Sequence, residues 1–382
     1  MLSRKPIVLA CTILLILFSS FRAIDAGEAS KSVYISVGLY GGKYVNEKSF
    51  HMILNYLRNS TITINNITWR IKVSIIKESD IILKQDIGLL YDVIILPDGD
   101  LSKYASSLTT LHNEIVNVLK HGGGFIGIGA GAYIITKDIL YPGAKELKYT
   151  GWSLINARTY AVTYTGNITL RLTKYGKVIL NKTTILFNKT AGYVFESKTA
   201  LPLAIVTSAS NASGNVYLVI GYPAALAYEN ATFRLVLIGF TDISKEELLQ
   251  SIAYVSGIVN ASYSSFINMF GQFLNVLHNV SFAIPSSSLE KMKNYLREAM
   301  SNANNNVYYA LYLFYCAKNI FREHYLQWLS YKERIYLIKH VASLSLIIVG
   351  TMSSFLLLYV YVFKRKHLKV RTIKDLQNYY VQ

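Results

Sequence analysis

One stretch, His121–Tyr133, constrains the fold more than any other part of the chain. It has the sequence HGGGFIGIGAGAY. A glycine run leads into a short apolar strand, Phe125–Ile128, and a tight Gly-Ala-Gly turn follows it. We predict that this turn opens a helix over Ala132–Leu140. Strand, tight turn and helix form the layout of a nucleophile elbow at the top of a parallel sheet. The turn residue here is Gly129, which has no side chain that could react.

Strand and helix patterns alternate before this stretch and predict a parallel sheet with helices on both faces. The predicted strands and helices before it are Val33–Leu39, Phe50–Arg58, Ile67–Ile76, Tyr91–Leu96 and Ser102–Lys120. From Tyr160 onward, short β-rich runs predict a β-rich insertion that returns to a core strand at Val216–Ile220. The fold class predicted for residues 32–243 is therefore α/β.

After Asp242 the pattern becomes helical. Ser244 is a suitable first cap, and a long helix from Val307 to Lys339 continues toward an apolar stretch. We predict a helical juxtamembrane bundle or stalk over residues 244–338. A stripe of tyrosines on the long helix is more typical of packing than of a binding site; it comprises Tyr308, Tyr312, Tyr315 and Tyr325.

Both ends of the chain carry apolar segments, which fit the hydrophobic content of 52%. Residues 1–26 have the charge, core and small-residue order of a signal peptide, with an uncleaved N-terminal anchor as the alternative. Val341–Phe363 has 23 uncharged residues, enough for one transmembrane helix. A basic tail, residues 364–382, follows it and predicts a cytoplasmic C-terminus. The expected product is a single-pass type I protein of the cell membrane with its N-terminal domain outside.

The formal net charge of +17 is spread unevenly. Removing the +2 of the signal region and the +5 of the tail leaves +10 on the outer portion. Those bases are scattered and not clustered with aromatic residues, so no nucleic-acid partner is expected. The tail bases fit the topology and an attraction to the lipid bilayer.

Asn-x-Ser/Thr sequons occur only in the predicted outer portion, which favours glycosylation over simple Asn and Thr richness. The candidate asparagines are Asn59, Asn66, Asn167, Asn181, Asn188, Asn211, Asn230, Asn260 and Asn279.

Few residues of the types that act as nucleophiles, metal ligands or acid–base groups lie at a spacing that would let them act together. The two cysteines, Cys11 and Cys316, leave no disulfide framework in the mature chain, and Cys316 fits a packed core thiol. No metal site and no cofactor are predicted. Asp98 and Asp100 follow a predicted strand at its carboxyl end. They would bind a cation or act as acid and base, or they would close the strand in an Asx turn.

The elbow stretch resembles the class I glutamine amidotransferase-like superfamily, and within it the biotin–protein ligase N-terminal domain family. That family's pattern is Gly-Gly-Gly-(aromatic)-x-Gly-x-Cys-Ala-Gly-Ala-Tyr. The matching residues here are Gly122, Gly123, Gly124, Phe125, Gly127, Ala130, Gly131, Ala132 and Tyr133. The resemblance covers residues 32–242 and implies a flavodoxin-like parallel sheet with a β-rich insertion. Val216–Pro223 resembles the family's final strand and its Gly-x-His-Pro-Glu end.

The departures from this pattern fall on the catalytic residues. The family's cysteine nucleophile needs a histidine base and an acid that orients it. At those three positions the resemblance places Gly129, Tyr222 and Ala224. It therefore implies a pseudoenzyme without acyl-transfer activity.

We expect a ligand-binding, sensing or scaffolding role on the cell surface. A cleft for a small anionic ligand would comprise Gly41, Asp98, Gly99, Asp100, Gly129, Ala130, Tyr133 and Tyr222. Two alternatives remain: a hydrolase with an unorthodox site at Asp98, Asp100 or Tyr222, and a structural subunit of a surface assembly. Other membrane or surface proteins would bind through the helical stalk.

Overall fold

The computed structural model describes residues 31–80, 87–100, 102–104, 109–140, 149–162, 166–187, 192–209, 220–230 and 233–379. The predicted signal peptide lies outside these residues, as do the candidate glycosylation sites Asn188 and Asn211. By its contacts the chain divides into two units, residues up to Leu326 and residues from Gln327 onward.

A ten-stranded sheet forms the centre of the first unit. Five of its strands run parallel, and they are β1 (Lys31–Tyr40), β3 (Ile67–Ile76), β4 (Val93–Leu96), β5 (Gly124–Ile128) and β14 (Arg234–Ile238). In space their order is β3, β1, β4, β5, β14. Counted along the chain, this is the doubly wound order 2-1-3-4-5, in which ligand sites lie at the carboxyl ends of the strands.

Antiparallel strands extend both edges of this parallel core. One edge carries β2 (Thr61–Ile64); the other carries, in order, β13 (Pro223–Glu229), β12 (Leu201–Ala209), β9 (Gly166–Leu172) and β10 (Thr184–Phe187). A second, four-stranded sheet has the order β11 (Gly192–Ser197), β8 (Ala157–Val162), β6 (Asp138–Leu140), β7 (Tyr149–Thr150). The structure is thus mixed α/β, with the predicted β-rich insertion divided between two sheets.

The helices of the described residues are α1 (Glu47–Leu57), α2 (Thr109–Lys120), α3 (Ala130–Tyr133), α4 (Gly176–Ile179), α5 (Lys245–Val255), α6 (Tyr263–Val280), α7 (Ser286–Asn302) and α8 (Val307–Tyr379). The same residues include 3₁₀ turns at Ile87–Leu90 and Ser281–Ala283.

The prediction of a helix over Ala132–Leu140 is wrong for most of these residues. Helix α3 ends at Tyr133, and Asp138–Leu140 is strand β6, paired with β8 and β7. The apolar residues after the elbow fit a buried strand as well as a helix, and periodicity alone does not separate the two.

The final parallel strand also differs from the prediction. Most of Val216–Ile220 lies outside the described residues, and Ile220 is in an exposed turn. The strand beside β5 is β14, whose residues Arg234–Ile238 are all buried. The Gly221-Tyr222 pair therefore precedes an antiparallel strand, β13.

Helices α5, α6, α7 and the first turns of α8 belong to the same unit as the sheet. Buried aromatic contacts join α6 to the first part of α8, and α8 to the sheet: Phe273 contacts Phe314 and Phe321, and Tyr315 lies edge-on to Trp69 of β3. Of the tyrosine stripe, Tyr315 and Tyr325 are buried, as expected of packing residues.

The second unit is the continuation of α8 from Gln327. Over the described part of the chain, no helix combines the length and the apolar character needed to cross a membrane. The predicted span lies within α8, and six of its side chains are outside the described set: Leu344, Leu346, Ile347, Ile348, Val349 and Phe363.

Candidate functional site at the strand-to-helix elbow

The turn after β5 has the backbone geometry of a nucleophile elbow. Gly129 has φ 55° and ψ −123°, a combination that residues with a side chain adopt only with strain. Its N–H donates to the carbonyl of Ile238 on β14 at 2.8 Å, and the carbonyl of Gly129 accepts from the N–H of Ala132 at 3.0 Å. The chain therefore keeps the strained turn although glycine has no side chain to present.

The space that an elbow side chain would use is filled by Asp98. A Cβ on Gly129 would lie 2.4 Å from Oδ1 of Asp98 and 2.9 Å from its Cβ. Real Cβ atoms do not approach other atoms this closely, so a side chain here would displace the carboxyl group. Asp98 follows β4, the neighbour of β5 in the sheet.

The same carboxyl group also accepts the hydrogen bond of the backbone N–H that follows Gly129 in the elbow. The N–H of Ala130 donates to Oδ1 of Asp98 at 2.8 Å. In enzymes with a nucleophile elbow, the N–H after the nucleophile stabilises the oxyanion. Here that N–H is already bonded to a carboxylate oxygen of the protein itself.

Asp98 is almost fully buried, at 4% exposure. Burial raises its pKa to about 6, although the bonds from the Ala130 and Gly99 N–H groups act in the opposite direction. At neutral pH this group is therefore mostly ionised, and it takes up a proton in mildly acidic solution. The elbow thus contains one titratable acid whose pKa is unlike that of an ordinary aspartate.

The segment before α1 holds the backbone around Asp98. The N–H of Asn46 donates to the carbonyl of Asp98 at 2.8 Å, and Val45 forms a bridge with Gly99. The N–H of Asp98 also faces Oγ of Ser49 at 3.4 Å. These contacts join the ends of β1 and β4, which is the switch point of the doubly wound sheet.

The contacts described for the side chain of Asp100 are with Ser102 and Lys103, and none of them is with Asp98. Its exposed carboxylate accepts from Oγ of Ser102 at 2.7 Å and forms an ion pair with Lys103. The hydrogen bond from Ser102 is the main reason that the pKa of Asp100 is lowered. These contacts match the turn-closing alternative in the sequence analysis.

Aromatic side chains pack against two glycines of the expected cleft, Gly41 and Gly99. A Cβ on Gly41 would lie 2.6 Å from the ring of Phe50, and one on Gly99 would lie 2.4 Å from the ring of Tyr104. Both glycines therefore permit close packing of aromatic rings. The strand ends that would form the floor of a ligand cleft are covered by side chains of the protein.

The two tyrosines expected at the cleft lie in different surroundings. Tyr133 is fully buried in α3. Tyr222 is half-buried at the start of β13 and lies edge-on to Tyr160 of the second sheet, with ring centroids 5.4 Å apart. Tyr222 is at the same edge of the sheet as Gly129, because β13 runs antiparallel to β14. Its described ring contact is with the insertion.

A second acid stands near the switch point. Glu78 accepts from Oη of Tyr40 and from the N–H of Lys43, each at 2.7 Å. Burial opposes ionisation of Glu78, but these hydrogen bonds outweigh it and lower its pKa. Burial raises the pKa of Tyr40 well above its ordinary value, so its hydroxyl stays a donor. Sequence reasoning missed Glu78, because no motif surrounds it.

The amino edge of the sheet holds a buried charge cluster that sequence reasoning also missed. Asp92, at the start of β4, is 1% exposed and forms ion pairs with Lys318 and Arg322 of α8. Its other oxygen accepts from the N–H of Ser36 at 2.9 Å. The spacing of the two bases, one helical turn apart, was the only signal in the sequence.

Other predicted sites can be placed on the structure. All seven described candidate asparagines for glycosylation are exposed. Cys316 is half-buried on α8, and burial raises the pKa of its thiol. Among the described residues, no group of His, Cys, Asp and Glu is arranged to hold a metal ion.

Comparison with known proteins gives little further information. No family model matches the chain, and no curated protein shows significant similarity to it. Among solved structures, a ThuA-like protein from Parabacteroides merdae is similar at 11% sequence identity. That similarity covers 59% of this chain and 90% of the other, with a TM-score of 0.34.

Proposed function

We propose that this protein is a cell-surface scaffold, a pseudoenzyme with the amidotransferase-like fold, anchored by one membrane span. The observation that carries this proposal is the position of Asp98. Its carboxyl group fills the volume of the nucleophile and bonds the Ala130 N–H, the donor that would stabilise an oxyanion. Binding of a small anionic ligand at the elbow is disfavoured for the same reason. Interaction through the protein surface is the role that remains.

The other catalytic positions support the same proposal. Because β14 is the last parallel strand, the family's Gly-x-His-Pro-Glu end is better compared with the residues from Gly239 than with those from Ile220. Thr241 then takes the histidine position and Ile243 the acid position. Neither supplies a base or an orienting acid, so the triad is incomplete with either comparison.

Membrane anchoring is supported by the sequence of α8. Val341–Phe363 has no charged residue, and six basic residues follow it. Large apolar side chains are exposed along this stretch, among them Phe355, Leu357 and Tyr359. In a bilayer this surface would contact lipid instead of water. The exposed sequon asparagines are suited to glycosylation on the outer side.

Anchoring and orientation are tested by membrane extraction of the full chain. We expect it to resist alkaline carbonate and to dissolve in detergent, whereas a variant lacking residues 341–363 should be released by carbonate. Protease added to intact cells should remove the part of the chain before residue 341 and leave the C-terminal tail protected. Release of the full chain by carbonate would refute the anchor.

The proposed absence of catalytic activity is tested by measuring substrate turnover. The purified full chain is incubated with amide, ester and thioester substrates, and each reaction is compared with that of an Asp98→Asn variant. We expect no turnover above background in either protein.

The raised pKa of Asp98 supports a second candidate function, a hydrolase that uses this group as a general acid. Turnover that is present in the natural protein and absent in Asp98→Asn would favour this candidate and would exclude the pseudoenzyme. The role as a structural subunit of a surface assembly would show as stable complexes in native mass measurement.

A further inference from the structure

Helices α6 and α7 enclose an open apolar groove, here called the α6–α7 groove, with a volume of about 550 Å³. Its walls consist of Phe270, Leu274, Leu277, Leu289, Leu296 and Met300. Three of these side chains, Phe270, Leu277 and Leu296, are largely buried and form the floor. Leu274 and Met300 are 41% and 45% exposed, so apolar surface faces solvent at the opening.

The floor of the groove is supported from behind. Phe270 contacts Phe266 and Phe314, with ring centroids 5.6 Å and 6.2 Å apart. Phe273, one turn further along α6, lies edge-on to Phe314 and Phe321 at 5.5 Å. Because these rings pack on the first part of α8, the groove is preformed and a ligand does not have to open it.

The rim of the groove is basic. His278 of α6 and the residues Lys293 and Arg297 of α7 line it, and no acidic residue does. Arg297 donates to Asn294 and forms an ion pair with the exposed Glu290 on its own helix, which offsets part of its charge. Lys293 is therefore the main source of positive charge at the opening. The groove thus combines an apolar floor with positive charge at its margin, and a complementary ligand is apolar on one side and negatively charged at its flanks.

The groove is as long as a short helix. Its lining residues span Phe270–His278 on α6, with Ser281 in the 3₁₀ turn that follows, and Leu289–Met300 on α7, a length of about 17 Å along α7. This length corresponds to about three helical turns, which present apolar residues at positions i, i+3 or i+4, and i+7. We propose that the α6–α7 groove binds an acidic amphipathic helix of a partner protein. The inference rests on the scaffolding role proposed above and gives that role a binding surface.

The test uses two synthetic 18-residue helical peptides with the same apolar face, one flanked by glutamates and the other by lysines. Each peptide carries a fluorophore and is titrated by anisotropy with the full chain in phosphatidylcholine nanodiscs. We expect the acidic peptide to bind at least about tenfold more tightly than the basic one.

Two variants localise the binding. The double variant Lys293→Glu/Arg297→Glu should weaken the acidic peptide about tenfold and improve the basic one. Lys291→Glu is the matched control, because Lys291 is exposed on the same helix but does not line the groove. It should change either affinity less than about twofold. Circular dichroism checks that all variants are folded.

Other results would overturn the inference. Equal affinity for both peptides would show that charge does not select the ligand. An equal loss of affinity in Lys291→Glu would show that the peptide binds outside the α6–α7 groove. Tight binding of the chain to phosphatidylglycerol vesicles, without binding of the acidic peptide, would identify the groove as a lipid contact. Peptide binding is measured separately from turnover and from membrane extraction. Failure of the groove is therefore distinguishable from failure of the proposed function.

Discussion

The carboxyl group of Asp98 occupies the position at which a side chain of Gly129 would begin. Oδ1 of Asp98 is 2.4 Å from the site of that Cβ and 2.8 Å from the N–H of Ala130. The elbow therefore retains its strained backbone while a neighbouring strand supplies the atoms that fill it. This arrangement explains how the turn persists without a nucleophile, since the acid satisfies the donor that a substrate oxygen would otherwise bind.

We predict that Gly129→Ala lowers the free energy of unfolding by about 2–5 kcal/mol, because the positive φ is strained and the methyl group meets Asp98. Gly221→Ala is the matched control: Gly221 has φ 92° but no atom within 4 Å of its Cβ position, so only backbone strain applies. Denaturant unfolding of both variants gives the comparison. Equal losses would show that Asp98 does not restrict the elbow.

A double-mutant cycle extends this prediction. If Asp98 causes the clash, Asp98→Ala should relieve part of the cost of Gly129→Ala, and the two losses should not add. We expect a favourable coupling of about 1–2 kcal/mol in the double variant. Strict additivity would mean that the two residues act independently.

We predict that Asp98 makes stability fall as pH rises from about 4 to about 6. Its pKa is about 6 in the folded chain and about 3.9 when unfolded, so within this window the folded state binds more protons. The loss is roughly 3 kcal/mol at most and is complete above pH 6. Asp98→Asn stays uncharged and should lack this component. The measurement is the difference in unfolding free energy between the two proteins at pH 4, 5, 6 and 7.5. A constant difference would contradict the raised pKa.

We predict that Asp92→Asn destabilises the fold by about 3–5 kcal/mol, because it leaves Lys318 and Arg322 buried without their counter-charge. Asp242→Asn is the control. It removes an ion pair with Lys182 in which Asp242 is exposed, and it should cost less than about 1 kcal/mol. Urea midpoints and slopes for the two variants provide the test. A loss for Asp92→Asn no larger than that of the control would show that the cluster contributes little.

The pH dependence of Asp92 has the opposite sign from that of Asp98. Burial opposes ionisation of Asp92, but Arg322 and Lys318 outweigh it and lower its pKa. Its contribution is therefore complete above the unfolded pKa of about 3.9 and is lost as pH falls through the folded value. Acid unfolding below pH 4 should be less steep in Asp92→Asn than in the natural protein.

We predict that Glu247→Ala costs about 2–4 kcal/mol, since it leaves three backbone donors without an acceptor. Glu247 is 1% exposed and accepts from the N–H groups of Asn181, Lys182 and Ser244. The neighbouring Glu246 is exposed, and Glu246→Ala should cost less than about 1 kcal/mol. Thermal unfolding of both variants measures the effect. Similar melting temperatures would show that water replaces the lost acceptor.

The sequence alone predicted the features that depend on neighbouring residues. The strand at Ile67–Ile76 has the predicted bounds, β1 and β4 lie within two residues of theirs, and the tight turn is at Gly129. Ser244 caps α5, and its side chain accepts from the N–H of Glu247 in a capping box. Such patterns are local, because periodicity, turn geometry and caps involve residues close together in the chain.

Only the tertiary structure decided what fills the elbow and what holds the helices. Asp98 and Ala130 are 32 positions apart, and Asp92 and Arg322 are 230 apart, so no local pattern reports either contact. Strands β6 and β7 were also decided by the tertiary structure. They are short, and they depend on pairing with each other and, for β6, with β8 in the second sheet. The sequence determined that the elbow has no nucleophile. The packing of β4 beside β5 determined that a buried acid takes its place.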